Sequence, residues 1–104
     1  EIVPQGTSGI SQISEIPNGY SLSQNYPNPF NPSTSIQFSI PSQTFVKLEV
    51  FNSLGEKVST LVAEELNVGN YQYEWNAENL ASGIYYYKLS TIDFVQTKKL
   101  ALLK

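Results

Sequence analysis

Four residue types are missing from the 104-residue chain: cysteine, histidine, methionine and arginine. Without cysteine there is no disulfide, thiolate nucleophile or thiolate metal site, and the redox compartment stays open, because an exported domain can do without bridges where its core suffices. Without histidine the imidazole base and the usual zinc ligand are gone, which excludes the catalytic templates built on them. Without arginine the bidentate fork favoured for phosphate and guanine is absent, and a net charge of -3 argues further against nucleic acid as a partner. The lack of methionine points to a processed product or a piece of a longer polypeptide. No apolar run approaches the roughly 18 to 20 residues a spanning helix needs, and the first residues lack the charged and apolar regions of a signal peptide.

What is present suits one soluble domain: 40 % hydrophobic and 14 % charged residues, with Tyr the commonest aromatic. Residues 1–19, EIVPQGTSGISQISEIPNG, keep neither helical nor strand period for long and read as a linker from an upstream domain, part of which can pair as an edge strand. From Thr34 the period becomes two. TSIQFSI turns Ile36, Phe38 and Ile40 to one face, and FVKLEVF turns Val46, Leu48 and Val50 inward with Lys47 and Glu49 outward. Gly55 sits where a hairpin turn needs positive φ, and EKVSTLVA returns as a third strand of a meander. EELNVG reads as a turn. NYQYEW then alternates Tyr71, Tyr73 and Trp75 against Gln72 and Glu74, GIYYYKLST puts Tyr85, Tyr87 and Leu89 inward, and FVQTKKLALLK closes the series. No window keeps helical period. Six strands, seven with residues 20–24, predict an all-β, immunoglobulin-like antiparallel sandwich over residues 20–104.

One segment breaks the pattern. NYPNPFNPST holds three prolines within six residues, which fix φ, bias the preceding residues toward extended backbone and remove three ladder donors. It cannot be a central strand. It reads as a nearly straight, stiff arm across an edge of the sandwich, with Tyr26 and Phe30 as plugs and its prolines shielding the edge from unwanted pairing. A stiff aromatic surface is also something a partner can grip.

Carboxylates are the only acid–base groups left. Glu64 and Glu65 are adjacent, so on an extended chain they point to opposite faces, and they read as solvating a turn. Glu49 and Glu74 would lie flat on a sheet surface. Asp93 or Glu78 with the Asn76 and Asn79 oxygens falls short of the dense acidic alternation of a calcium loop, and turn chemistry accounts for that link better. No enzyme and no cofactor are expected. Tyr20, Tyr26, Tyr86 and Trp75 could form an aromatic platform for sugar rings; Trp75 shares the inner register of Tyr71 and Tyr73, which leaves Tyr86 as the best exposed candidate. Residues 88–104 carry four lysines against Asp93 alone, whereas residues 1–46 carry none. The lysines either protect an edge strand or mark a strand that a partner reads, by strand addition for example.

The ordered blocks LSQNYPNPFNPSTSIQFSIP, VKLEVFNSLGEKVSTLV, GNYQYEWNAENLASGIYYYKLS and TKKLALLK closely resemble the type A C-terminal sorting domain of the type IX (Por) secretion system of Bacteroidetes. The resemblance covers residues 22–104. The hairpin VFNSLGEKV is shared with the immunoglobulin-like domain of flagellar hook-capping proteins, and Asn52 and Lys57 stand where the family often has an acidic residue and an arginine. The resemblance implies an address and not a catalyst: a domain directing its cargo through an outer-membrane translocon, with shuttle and sortase components as partners. It implies passage through the periplasm to the cell surface or medium. By position, the implied recognition residues are Asn25, Tyr26, Pro27, Asn28, Pro29, Phe30, Asn31 and Pro32 of the arm, Gly83 and Tyr85, and Lys98, Lys99 and Lys104, with a cleavage point in residues 6–14. The alternative is a carbohydrate-binding or structural accessory module of a secreted hydrolase.

Overall fold

The structure is a computed structural model that describes residues 10–13, as backbone, and 18–104. Of the expected cleavage region, residues 6–9 and 14 lie outside these residues, as does most of the expected linker, whereas residues 10–13 form a strand. Among the described residues eight strands are formed: β1 (Ile10–Ile13), β2 (Ser21–Leu22), β3 (Ser33–Ile40), β4 (Thr44–Asn52), β5 (Lys57–Leu66), β6 (Gly69–Asn76), β7 (Gly83–Ser90) and β8 (Val95–Leu102). They make two four-stranded antiparallel sheets, ordered β1-β6-β3-β2 and β5-β4-β7-β8. The all-β sandwich expected from the alternation is therefore present.

Its interior follows the period-two pattern closely. Ile36, Phe38 and Ile40 of β3 and Tyr71 and Trp75 of β6 face Val46, Leu48 and Val50 of β4, Tyr85, Tyr87 and Leu89 of β7, and Leu100 and Leu102 of β8. Burying each of the larger side chains contributes roughly 1.5–3 kcal/mol, so the one-sided strands hold the sheets face to face. Phe38 and Tyr71, opposite in register, stack with ring centroids 5.5 Å apart.

Three local expectations are corrected. β3 and β4 do not continue a meander, because β3 belongs to the first sheet and β4 to the second; among the described strands the consecutive pairs that are hydrogen-bonded are β2–β3, β4–β5 and β7–β8. β5 does not end before the glutamates but runs through Glu64 and Glu65 to Leu66, whose buried side chain gives the strand a reason to continue. Its register slips at two points against β4, which is why Leu61 and Val62 are both buried although adjacent. Glu49 is on the outer face, as expected, yet only 7 % exposed, because Lys57 bridges to it at 3.3 Å across the twisted hairpin. The expected turn glycine is confirmed: Gly55 has φ 88° between β4 and β5, where Asn52 Oδ1 accepts from the N–H groups of Leu54 and Glu56.

β1 adds a strand that begins before residue 20 and covers the free edge of β6, pairing Ile10 with Tyr73 and Ile13 with Asn70.

Candidate recognition surface

The proline arm starts where β2 ends. Ser23 donates its N–H to Gln37 O, so the chain still follows β3, and at Tyr26 it pairs again with Ser35 through N–H···O bonds of 3.0 and 2.9 Å. It then leaves the first sheet. Phe30 donates to Ala101 O at 3.0 Å and accepts from Leu103 N–H at 2.9 Å, a parallel bridge to the end of β8 in the second sheet. The arm is thus a strap joining the two sheets, and it is bent, not straight. Backbone bends occupy residues 27–29 and 31–32, and the Tyr26–Pro27, Asn28–Pro29 and Asn31–Pro32 peptide bonds are cis. A segment hydrogen-bonded to different sheets at Tyr26 and Phe30 cannot run as a rod.

Two clusters hold the strap. Asn25, only 2 % exposed, donates from Nδ2 to Pro27 O (3.1 Å) and Thr34 Oγ1 (3.0 Å), and its Oδ1 accepts from Gln24 Nε2 (2.7 Å). Thr34 Oγ1 in turn donates to Pro27 O at 2.9 Å. Phe30 is the plug: its ring sits 5.8 Å from that of Trp75 within the core. Tyr26 is not a plug. It is 80 % exposed, because its pairing with Ser35 puts its side chain on the outer side of β3.

The arm also occupies much of the outer edge of β8. Gln24 Nε2 donates to Lys99 O at 2.8 Å, Asn28 Oδ1 accepts from Ala101 N–H at 3.0 Å, and Phe30 takes the next two groups. Strand addition along that stretch is already satisfied within the chain. Tyr87, on the neighbouring strand, donates its phenol O–H to Ser23 O at 2.6 Å. Burial pushes that phenol up to about 12, with the backbone hydrogen bond from Asn25 working in the opposite sense.

The residues implied by resemblance fall into two sets. Asn25, Phe30 and Tyr85 are buried, with Tyr85 donating its O–H to Ala81 O at 2.7 Å. Tyr26, Pro27, Asn28, Pro29 and Asn31 are exposed, and Pro32 is half-buried with its carbonyl accepting from Ala77 N–H at 2.8 Å. Gly83 opens β7 at φ 156°. The adjacent lysines part company: Lys98 pairs in register with Tyr87 on the inner side of β8, whereas Lys99 pairs with Tyr86 on the outer side. Lys104 is exposed and ties back to the β6–β7 link, donating from its N–H to Ser82 Oγ at 3.0 Å and from Nζ to Glu78 O.

Two clefts gather residues that the sequence reading had not grouped, although Tyr86 and Tyr26 stood among its exposed aromatic candidates. Phe51, Tyr86, Lys88 and Thr97 line a cleft of about 340 Å³ on the outer face of the second sheet, with the Lys88 ammonium 5.2 Å from the centre of the Phe51 ring. Their register, Phe51 opposite Tyr86, was the only clue available from alternation. On the opposite face, Ser23, Gln24, Tyr26, Ser35, Gln37 and Gln72 line a cleft of about 380 Å³. Among the described residues, no three His, Cys, Asp or Glu side chains group to hold a metal ion, and no helix is long and apolar enough to cross a membrane.

The proline arm and the end of β8 thus meet at one strapped edge of the sandwich. The family follows from sequence: the model of the secretion system C-terminal sorting domain (Por secretion tail) matches residues 24–102, and the chain belongs to that family. It is a non-catalytic sorting signal of the Por, or type IX, system, which directs the protein carrying it out of the cell to the surface or medium, and its partner is that export machinery. In fold it is similar to PorZ, described as an essential bacterial surface component of the type IX secretion system of Porphyromonas gingivalis. The TM-score is 0.55 at 16 % identity, over 84 % of this chain and 12 % of PorZ, a likeness of fold. The chain thus spans a small part of that protein's length. A search of curated proteins finds no match.

Proposed function

We propose that the export machinery reads one continuous edge of the sandwich, made of the outward side of the proline arm and the C-terminal half of β8. The Phe30–Leu102 bridge carries this reading, because it joins the two most distinctive sequence blocks into a single surface. Tyr26, Pro27, Asn28, Pro29 and Asn31 supply exposed, stiff contact area, which loses little conformational freedom on binding. Lys99 and Lys104 supply exposed positive charge beside it, in a chain that is acidic as a whole. Asn25, Phe30, Pro32, Gly83 and Tyr85 act by keeping that edge in shape, and Lys98 flanks it from the inner side. On this reading the contacts are with the outer-membrane translocon, a shuttle and a sortase. Residues 20–104 are the sorting unit, and residues 1–19 link it to an upstream cargo and hold the cleavage point at 6–14.

The test is a fluorescent reporter sent to the periplasm of a type IX-competent host with the chain fused behind it. Lys99→Glu combined with Lys104→Glu is expected to keep the domain within about 0.5 kcal/mol of its normal stability, as exposed substitutions do, while stranding the reporter in the periplasm. Normal surface display by the folded double variant would overturn the proposal. Deleting the last five residues is a poorer probe, since it also strips Leu100 and Leu102 from the core.

A further inference from the structure

The outer faces of the two sheets differ in chemistry. On the first sheet, β3 turns out Ser35 and Gln37, and the matching positions of β6 are Glu74 and Gln72. These side chains form a hydrogen-bonded mat: Gln37 Nε2 donates to Gln72 Oε1 at 3.0 Å, Gln72 Nε2 donates to Glu74 Oε2 at 3.2 Å, and Ser35 Oγ donates to the same carboxylate oxygen. No lysine lies on these two strands, and Glu74 is the one charge. Tyr26 rises at the border of the mat, its backbone locked to Ser35 and its ring 80 % exposed.

From this arrangement we infer that the cleft bounded by Tyr26, Gln37 and Gln72 binds an uncharged oligosaccharide. The ring of Tyr26 offers a flat apolar face to the C–H side of a pyranose, which is one of the few apolar surfaces a sugar has. The amides beside it are pre-aligned and hold spare capacity: Gln37 Oε1, a second N–H on each amide and Glu74 Oε1 have no partner among the described residues. Sugar hydroxyls both donate and accept, and a fixed row of amides satisfies them without ordering mobile side chains. The volume of about 380 Å³ is in the range of small-ligand sites. Glu74 argues against a polyanionic glycan, and the absence of a lysine on β3 and β6 leaves nothing to offset that repulsion. This site goes beyond export: it shares Tyr26 with the proposed export edge, whereas Lys99 and Lys104, on which the export test is made, are not in its lining.

The experiment titrates the whole 104-residue chain with cellohexaose, xylohexaose and mannohexaose as neutral probes and with oligogalacturonate as the anionic one, by calorimetry and by native-gel retardation. At least one neutral probe is expected to bind, with Tyr26→Ala weakening it by about tenfold and Gln72→Ala by several-fold. Tyr86→Ala, on the other sheet, is expected to leave binding unchanged. Far-UV circular dichroism of each variant checks that the fold is retained, and Gln37→Ala serves as the second probe of the mat. Failure of all three neutral probes at millimolar concentration, binding that survives Tyr26→Ala undiminished, preference for oligogalacturonate, or loss of binding in Tyr86→Ala would each overturn the inference. None of these outcomes bears on the export test, which reads different residues in a different assay.

Discussion

Replacing Asn25 with alanine tests how the strap is held. The amide is 2 % exposed and makes three hydrogen bonds within one turn of the strap, to Pro27 O, Thr34 Oγ1 and Gln24 Nε2. Gln24 retains Lys99 O as an acceptor, and Thr34 still donates to Pro27 O, so neither neighbour is wholly orphaned. The loss therefore comes from the two bonds of Nδ2, one buried and one partly so, at about 1 kcal/mol each, and from a small void. A total near 2–3 kcal/mol is expected, a sizeable part of the roughly 5–15 kcal/mol that holds a domain of this size together. Urea unfolding followed by the fluorescence of the single tryptophan, Trp75, reads this directly, because the indole lies beside Phe30 at the strap's anchored end. The midpoint should fall with an unchanged slope. The comparison is Asn28→Ala, whose exposed side chain makes one bond, to Ala101 N–H, and which should cost under about 1 kcal/mol. If Asn25→Ala unfolds within about 0.5 kcal/mol of the parent, or Asn28→Ala proves the more damaging, the strap is not held as described.

Gly83→Ala tests the backbone at the start of β7. A Cβ there meets nothing within 4 Å, so the cost is conformational alone, about 1–3 kcal/mol for φ 156°, and thermal unfolding should register it. Tyr87 sets an alkaline limit: its folded value of about 12 lies above the ordinary 10.0, so its contribution is whole below pH 10 and is lost as pH rises toward 12. Tyr87→Phe should flatten that part of the stability–pH curve, and an unchanged slope in the variant would assign the alkaline loss to other groups.

The strands were legible because one-sided burial writes itself into alternation. Ile36, Phe38, Val46, Leu48, Trp75 and Tyr87 could be assigned inward from spacing alone, and the sandwich followed from having too many one-sided strands for a single layer. Slips in register were not legible, since Leu61 and Val62 share the core only because a bulge resets the count. The fate of the proline segment was half legible. Proline chemistry excludes a central strand, but the bends and the anchors come from partners distant in the chain, Ser35 on one sheet and Leu102 on the other. Tyr26 and Phe30 look alike in the sequence; only those anchors send one outward and the other into the core. Likewise Lys98 and Lys99 read as one basic patch until strand pairing divides them between two faces.

The bridge between Phe30 and Leu102 ties the seating of an early segment to the arrival of a late one. Without residues 100–103 the strap would lose its second anchor, because the Ala101 carbonyl and the Leu103 N–H hold Phe30, and the core would lose two buried leucines with them. A change at the end of β8 is therefore felt at the arm as well as in the strand itself.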